Sequence, residues 1–235
     1  MADAACAEAR DPLESINRNV DAFNRRVDEA VLKPVATAYE HHLPTTIRLG
    51  VSNFFANLGD AWSAANSVLQ VKPVDAMQDG MRFAVNSVFG LAGLLDIATD
   101  AGIERHKEDF GATLARWGVP AGPYVVLPLL GPSTQRDTAA LPVDWLGDPL
   151  GRVSPIVSRN AMTAVGAVDM RARLLPLDGA LDQAFDRYGL MRDAYLQHRE
   201  AQVQGDTADG AGADTGGDAE HDSGTALSAP GDVTP

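Results

Sequence analysis

Apolar residues recur at intervals of three and four positions along most of the first 200 residues, the spacing of one face of an α-helix. The N-terminal stripe consists of Leu13, Ile16, Val20, Phe23, Val27 and Val31. Asp11 to Glu14 (DPLE) precedes most of it, with an acceptor at the N-cap, proline at the first helical position and glutamate at the third. The pattern predicts a helix that begins beside Asp11 and that Pro34 ends or kinks.

Further helices are predicted downstream from the same periodicity. We expect a short helix to His42, a helical unit from Thr45 to Leu69 that Gly59 breaks, and a helix that begins at Pro73. The apolar stripe of that third helix consists of Val74, Met77, Met81, Val85 and Val88. Periodicity alone does not tell whether such a stripe faces a protein core or lipid, so both alternatives stay open.

The second half of the chain continues this helical pattern. We expect helices over 110–117, from Pro132, over 154–175, and from Asp178 to about Arg199. No alternation of strand patterns with helices is present, and no internal repeat is evident. The sequence therefore predicts an all-α fold class, with one domain of interrupted amphipathic helices over residues 11–200.

The central segment 118–137 interrupts this helical pattern. Prolines fix the backbone and remove hydrogen-bond donors at 120, 123, 128 and 132, which excludes a helix over most of the segment. The apolar run from Tyr124 to Leu130 has Pro128 inside it, which makes it a poor interior strand. We expect an extended apolar loop bounded by glycine turns at Gly122 and Gly131. A buried connector between helices is an equally good interpretation.

Charge is unevenly distributed along the chain. The net charge is −13, and residues 201–235 contain no Lys or Arg, which leaves 25 acids against 19 bases before them. The acids of this tail are Asp206, Asp209, Asp214, Asp218, Glu220, Asp222 and Asp232. Because the tail has almost no large apolar residue, we expect it to be disordered. The low isoelectric point and the lack of a basic patch argue against a nucleic-acid partner.

The N-terminus and the cysteine content limit other functions. Cys6 is the one cysteine, so no disulfide within the chain and no thiolate metal site is expected. No apolar run reaches the length of a transmembrane helix. Residues 1–10 lack a complete signal peptide, although Met1 to Cys6 is similar to the remnant of an export and lipidation segment.

Candidate chemistry is sparse. None of the familiar nucleophile, phosphate-loop or zinc-protease motifs occurs, and the histidines lack ligand spacing, so we expect no enzyme, no metal site and no cofactor. Arg136 and Asp137 could bind a lipid head group or form a structural ion pair at the start of a helix; both interpretations stay open. Tyr124 suits a membrane–water boundary or a core. The amides Asn17, Asn24, Asn53 and Asn57 suit a polar passage or helix surfaces.

Several short motifs, in this order, resemble the MlaA (VacJ) family of outer-membrane lipoproteins over residues 11–199. They are DPLE at 11–14, NR at 17–18, SNF at 52–54, NL at 57–58, EDFG at 108–111, GPY at 122–124, LP at 127–128, GP at 131–132, RD at 136–137 and RDAY at 192–195. Ala115 and Arg187 depart from the family pattern. Asp3 departs from the lipobox that would make Cys6 a lipidation site.

The resemblance implies a ring of helices in the inner leaflet of the outer membrane, with a central amphipathic channel. It implies that phospholipid is removed from the outer leaflet and passed to a periplasmic lipid-binding carrier, in complex with a trimeric porin and without a catalytic step. Residues expected to border the lipid passage are Gly122, Pro123, Tyr124, Leu127, Pro128, Gly131, Arg136, Asp137 and the four asparagines. The alternative is a periplasmic helical protein that binds a porin without conducting lipid.

Overall fold

The first helical region is continuous from Glu14 to His42. The computed structural model describes the backbone of residues 11–212 and the side chains of residues 11–203. Helix α1 (Glu14–Val27) passes through a π-helical turn (Asp28–Leu32) into α2 (Lys33–His42). The helix does not end at Pro34, because the wider π turn directly before it accommodates the residue that lacks a backbone donor.

Helices α3 (Thr45–Leu69) and α4 (Pro73–Val88) pack side by side as a helical hairpin. The predicted break at Gly59 is wrong, because α3 runs through it without interruption. One internal glycine costs about 1 kcal/mol relative to alanine, and packing against α4 outweighs that cost. A turn over 91–95 leads from α4 to the short helix α5 (Ile97–Asp100).

The central segment forms a β-hairpin rather than the expected strand-free loop. After α6 (Phe110–Arg116), strand β1 (Tyr124–Leu127) pairs antiparallel with β2 (Gly131–Thr134). Pro128 lies in the turn and not within a strand, and both strands are edge strands, where proline is tolerated. The next helix therefore begins at Gln135 and not at Pro132, and Thr134 caps it by accepting a hydrogen bond from the Asp137 N–H.

The remaining elements are helical. They are α7 (Gln135–Gly147), a 3-10 turn (Pro149–Arg152), α8 (Ile156–Leu174), a second 3-10 turn (Leu175–Leu177), α9 (Asp178–Asp182) and α10 (Arg187–Gly212). The helix predicted from Asp178 to Arg199 is thus two helices, and the second extends into the predicted tail. Residues 1–10, with Cys6, and the rest of that tail lie outside the described residues. The all-α class is confirmed, with one small sheet added.

Polar residues fill the interior between the helices, and apolar residues cover much of the outside. On α4 the buried side chains are Asp79, Arg82 and Asn86, whereas Val74, Met77, Met81 and Val88 are exposed. On α3 the buried side chains are likewise Asn57, Asp60, Ser63, Asn66 and Ser67. The apolar stripe of α4 therefore faces outward. Within residues 11–212, no helix combines the length and the apolar character needed to cross a bilayer.

Candidate functional site

Two asparagines of α1 hold the central hairpin. Asn17 is 1% exposed; its Nδ2 donates to the Tyr124 carbonyl at 3.0 Å, and its Oδ1 accepts from the Val126 N–H at 2.9 Å. Two helical turns further on, the Nδ2 of Asn24 donates to the Leu127 carbonyl at 2.9 Å, and its Oδ1 accepts from the N–H of Leu129 at 2.7 Å. Each side-chain amide thus makes the pair of hydrogen bonds that a peptide group of a third strand would make. Helix α1 therefore satisfies the edge of β1 that does not pair with β2.

Tyr124 lies in a small aromatic core rather than at a solvent boundary. It is 2% exposed, and its ring contacts the rings of Tyr188 and Tyr195 of α10, each with a centroid distance of 6.1 Å. The Tyr188 hydroxyl donates to the Asp11 carboxylate, which also accepts from Asn17 at 2.9 Å. Burial, and for Tyr188 also the hydrogen bond to Asp11, raises the pKa of both Tyr124 and Tyr188. Both phenols therefore stay neutral.

Arg136 and Asp137 belong to a buried ion-pair cluster at the start of α7. The Arg136 Nε donates to the Asp137 Oδ1 at 3.0 Å, and Arg199 of α10 donates to both oxygens of Asp137 at 3.1 Å. Arg199 also binds Asp109, the N-cap of α6, at 2.6 Å. Burial alone would raise the pKa of Asp137, but the hydrogen bond and charge of Arg199, joined by Arg136, outweigh it and lower that pKa. Asp137 is therefore a firmly ionised structural anchor.

The hairpin borders two cavities. The first, of about 760 Å³, is lined by Gly122, Pro123, Tyr124 and Arg136, together with residues of α10 that include Leu196. The second, of about 440 Å³, is lined by Asn24 and by the tip of the hairpin, including Gly131. Leu127 and Pro128 lie at the turn end of β1, where Leu127 pairs with Gly131. The structure thus brings most of the predicted hairpin residues to the walls of two neighbouring spaces.

Asn53 and Asn57 have different partners from Asn17 and Asn24. They bond to the end of α4 and the turn after it: Asn53 donates to the Leu94 carbonyl at 3.2 Å, and Asn57 donates to the Ser87 hydroxyl at 3.0 Å. Gly93 has φ +90°, and a Cβ there would lie 2.7 Å from the Asn57 Nδ2. The buried Oδ1 of Asn57 has no partner among the described residues.

A buried charge network that the sequence did not predict lies between α3, α4 and the segment after α5. Arg82 is 1% exposed and donates to Asp96 at 2.8 Å and to the Ile103 carbonyl, while Arg105 bonds to Asp60 at 3.1 Å. Burial raises the pKa of nearby Asp79 to about 6. The signal was present in the sequence, because Asp79, Arg82 and Asn86 recur at helical spacing opposite the apolar stripe.

Comparison with known proteins places these features in a family context. A family model described as "MlaA lipoprotein" matches residues 9–202. The chain is 36% identical to the intermembrane phospholipid transport system lipoprotein MlaA of Escherichia coli strain K12, over 83% of this chain and 79% of that protein. The protein of the same name from Haemophilus influenzae is 34% identical, over 84% and 80% of the two chains.

A solved structure shows the same fold. It is described as "Structural basis for maintenance of bacterial outer membrane lipid asymmetry". It superimposes with a TM-score of 0.73 at 36% identity and covers 82% of this chain and 98% of its own chain. Sequence and fold thus agree over nearly all of the described residues.

Proposed function

Because the chain belongs to the MlaA lipoprotein family, we propose that it transports phospholipid between membranes and so maintains the lipid asymmetry of an outer membrane. The observation that carries this proposal is the outward-facing apolar surface around a polar interior. Val88 is 72% exposed and Phe89 71% exposed, while Arg82 and Asn86 on the same helix are buried. A water-soluble protein has the reverse arrangement, so this surface suits contact with acyl chains.

The geometry suits residence in one leaflet of the membrane. The apolar stripes lie on helices α1, α3 and α4, none of which is apolar enough to cross the bilayer. A helix that exposes an apolar face and cannot span the bilayer is suited to lie in the plane of a membrane interface. We place the chain on the periplasmic side of the outer membrane, as a ring of helices with an amphipathic channel at its centre.

The direction of transport and the partners in this proposal are those that the family resemblance implies. The chain takes misplaced phospholipid from the outer leaflet, works in complex with a trimeric porin, and passes the lipid to a periplasmic lipid-binding carrier. The hairpin supports a place beside the lipid path, because its residues line both cavities. Irregular backbone at membrane depth is tolerated where it is buried in protein or borders a cavity.

The experiment is deletion of the gene, followed by measurement of phospholipid exposed at the cell surface. We expect exposure to rise on deletion and to return to normal with the intact chain. If deletion leaves surface phospholipid unchanged, and the chain copurifies with a porin from the strain that carries the gene, the chain is a porin-binding protein that does not conduct lipid.

The hairpin is tested in the same strain with Leu127→Asp and Leu129→Asp. Leu129 is 66% exposed, so the second change places a charge beside the proposed path without disturbing a core. Leu146→Asp on α7, at a position that is 77% exposed, is the matched control. Membrane level and circular dichroism establish that each variant folds. Normal asymmetry with a folded, membrane-bound Leu129→Asp variant would remove the hairpin from the lipid path.

A further inference from the structure

The irregular segment 103–109, between α5 and α6, is fastened to α3 and α4 by side chains. It forms no helix or strand. The carboxylate of Asp79 on α4 accepts a hydrogen bond from the His106 N–H at 2.9 Å, and the hydroxyl of Ser63 on α3 accepts one from the Glu108 N–H at 3.1 Å. Because the segment has no backbone ladder of its own, its position depends on such bonds.

Asp79 and His106 form an incompletely bonded pair at this attachment. The Asp79 side chain is 0% exposed, and its Oδ2 is buried without a hydrogen-bond partner among residues 11–203. The His106 Nδ1 lies 3.5 Å from the Asp79 Oδ1 and also lacks a hydrogen bond within that range. The Nε2 on the other side of the ring lies 3.8 Å from the Oδ1 of Asp75, one helical turn before Asp79. The imidazole thus lies between two carboxylates and is partly exposed, so the pair can exchange a proton with water.

The charged groups around this pair come from α3, α4 and the neighbouring connections, and they bind one another. The ion pairs are Asp60 with Arg105 at 2.9 Å, Arg82 with Asp96 at 2.8 Å and Lys72 with Glu108 at 2.8 Å. Asp75 lies 3.9 Å from Lys72, and the remaining charges nearby, Asp100, Glu104 and Lys107, are exposed. The cations of this group are therefore engaged by other carboxylates, and the positive charge beside Asp79 is that of protonated His106.

From this cluster we propose that Asp79 and His106 form a pH-sensitive switch, which holds segment 103–109 on α4 while the pair carries a proton and loosens it when the proton is lost. The ionised carboxylate is the unfavourable form, because it is buried and one of its oxygens has no donor. Burial accordingly raises the pKa of Asp79 to about 6, and the N–H and the charge of His106 offset only part of this effect.

The direction of the pH dependence follows from that raised pKa. When the segment opens, Asp79 meets water and its pKa returns to about 4. The closed segment therefore binds the proton more tightly than the open one, so its extra stability is present at acidic pH and is lost as pH rises through about 6. The segment ends at Asp109, which caps α6 and binds Arg199 at 2.6 Å, so opening also frees the start of α6.

Hydrogen–deuterium exchange of the full chain in detergent tests the switch at pH 5, 6, 7 and 8. Exchange rates are corrected for the intrinsic effect of pH with the same chain unfolded in urea. We expect protection of the amides of residues 103–109 to fall roughly tenfold from pH 5 to pH 8, the factor that a pKa change from about 6 to about 4 gives over this range. Protection that does not change with pH overturns the inference. The inference does not rest on lipid transport, which surface phospholipid in the deletion strain tests separately.

Asp79→Asn keeps an oxygen that can accept from the His106 N–H and removes the group that ionises. We expect its protection at pH 8 to equal its protection at pH 5. Asp100→Asn removes an exposed acid of α5, is the matched control, and should keep the tenfold fall. A tenfold fall that persists in the folded Asp79→Asn variant overturns the inference, because another group then binds the proton.

His106→Gln tests the partner and keeps the backbone N–H that bonds to Asp79. Since the charge of His106 lowers the pKa of Asp79, its removal should move the midpoint of the fall to higher pH. His42→Gln, at an exposed position, should leave the midpoint unchanged. An unchanged midpoint in His106→Gln removes His106 from the switch and overturns the inference, and this outcome decides the question even where Asp79→Asn does not fold.

Discussion

At the scale of single residues, asparagine acts here as a substitute for backbone. A side-chain amide has one donor and one acceptor in the arrangement of a peptide group, so Asn17 and Asn24 satisfy the outer edge of β1 from a helix. A two-stranded hairpin is marginally stable alone, and these bonds fix it against α1. The amide of Asn17 is fully used in this way, which leaves it no free group for a passing head group.

The sequence placed Asn17 and Asn24 on one side of a helix but did not show what they contact. Their partners lie more than a hundred residues away in the chain, at Tyr124 and Leu127. Helical periodicity tells which side chains share a face, and it carries no information about the element packed on that face. Tyr124 shows the same limit, because an amphipathic ring fits both a boundary and a core.

Replacement of Asn17 by alanine tests this contact. Two buried backbone groups, the Tyr124 carbonyl and the Val126 N–H, lose their partner, and each such loss costs roughly 1–3 kcal/mol. We expect the free energy of unfolding to fall by about 2–6 kcal/mol, measured by urea denaturation in detergent. Asn19→Ala is the control, because Asn19 is exposed and its side chain, among the described residues, bonds only to the Ser15 carbonyl of its own helix. Equal, small effects from both substitutions would show that the hairpin does not depend on Asn17.

At the scale of secondary-structure elements, helices α3 and α4 bury polar side chains and expose apolar ones, the reverse of helices in a soluble protein. The sequence predicted the spacing of the stripe on α4 and left its direction open. The opposite face of α4 decides the direction. Within the described residues, Asp79 bonds to His106, Arg82 to Asp96 and Asn86 to Ala98, all on the inner side of the helix. Buried charges need such partners, whereas exposed valines have no polar group that needs one.

The hairpin is the element that the sequence pattern did not predict. Prolines at 123, 128 and 132 and glycines at 122 and 131 correctly excluded a helix, yet the strands between them are only four residues long. Strands this short carry too little periodicity to be recognised. Their pairing depends instead on α1, which covers β1, and on Thr134, which begins α7 directly after β2.

A charge on the outer face of α4 tests the direction of that helix. Val88 is 72% exposed, so Val88→Glu should leave the fold intact while placing an anion among acyl chains. We expect a clear drop in the fraction retained in the membrane after salt washing. Ala139→Glu adds the same charge at an exposed position of α7 and serves as the comparison. Full retention of a folded Val88→Glu variant would mean that this face does not meet the membrane.

At the scale of the whole molecule, α10 ties distant parts of the chain together. Tyr188 and Arg192 reach Asp11 at the beginning of the described chain, and Arg199 joins the starts of α6 and α7 through Asp109 and Asp137. Arg18 of α1 pairs with Asp186, directly before α10, at 2.8 Å. The RDAY and DPLE motifs of the sequence therefore meet through Arg192 and Asp11, whose nearest atoms lie 3.9 Å apart.

Arg199→Gln tests whether the ion pairs of Arg199 with Asp109 and Asp137 stabilise the fold. The Arg199 side chain is 10% exposed and Asp137 is 11% exposed. Asp137 keeps Arg136 as a partner in this variant, and losing a hydrogen bond to a charged group costs roughly 1.5–3 kcal/mol. We expect the free energy of unfolding at pH 7, measured by urea denaturation, to fall by that amount. Arg152→Gln, at an exposed position, is the control.

The effect of Arg199→Gln should depend on pH. The pKa of Asp137 is lowered in the folded state, so its stabilising effect is present above the ordinary carboxyl pKa of about 4 and is lost as pH falls below it. The difference between the intact chain and Arg199→Gln should therefore shrink as pH falls below about 4. A difference that stays constant from pH 7 to pH 3 would mean that the arginine acts through packing and not through its charge.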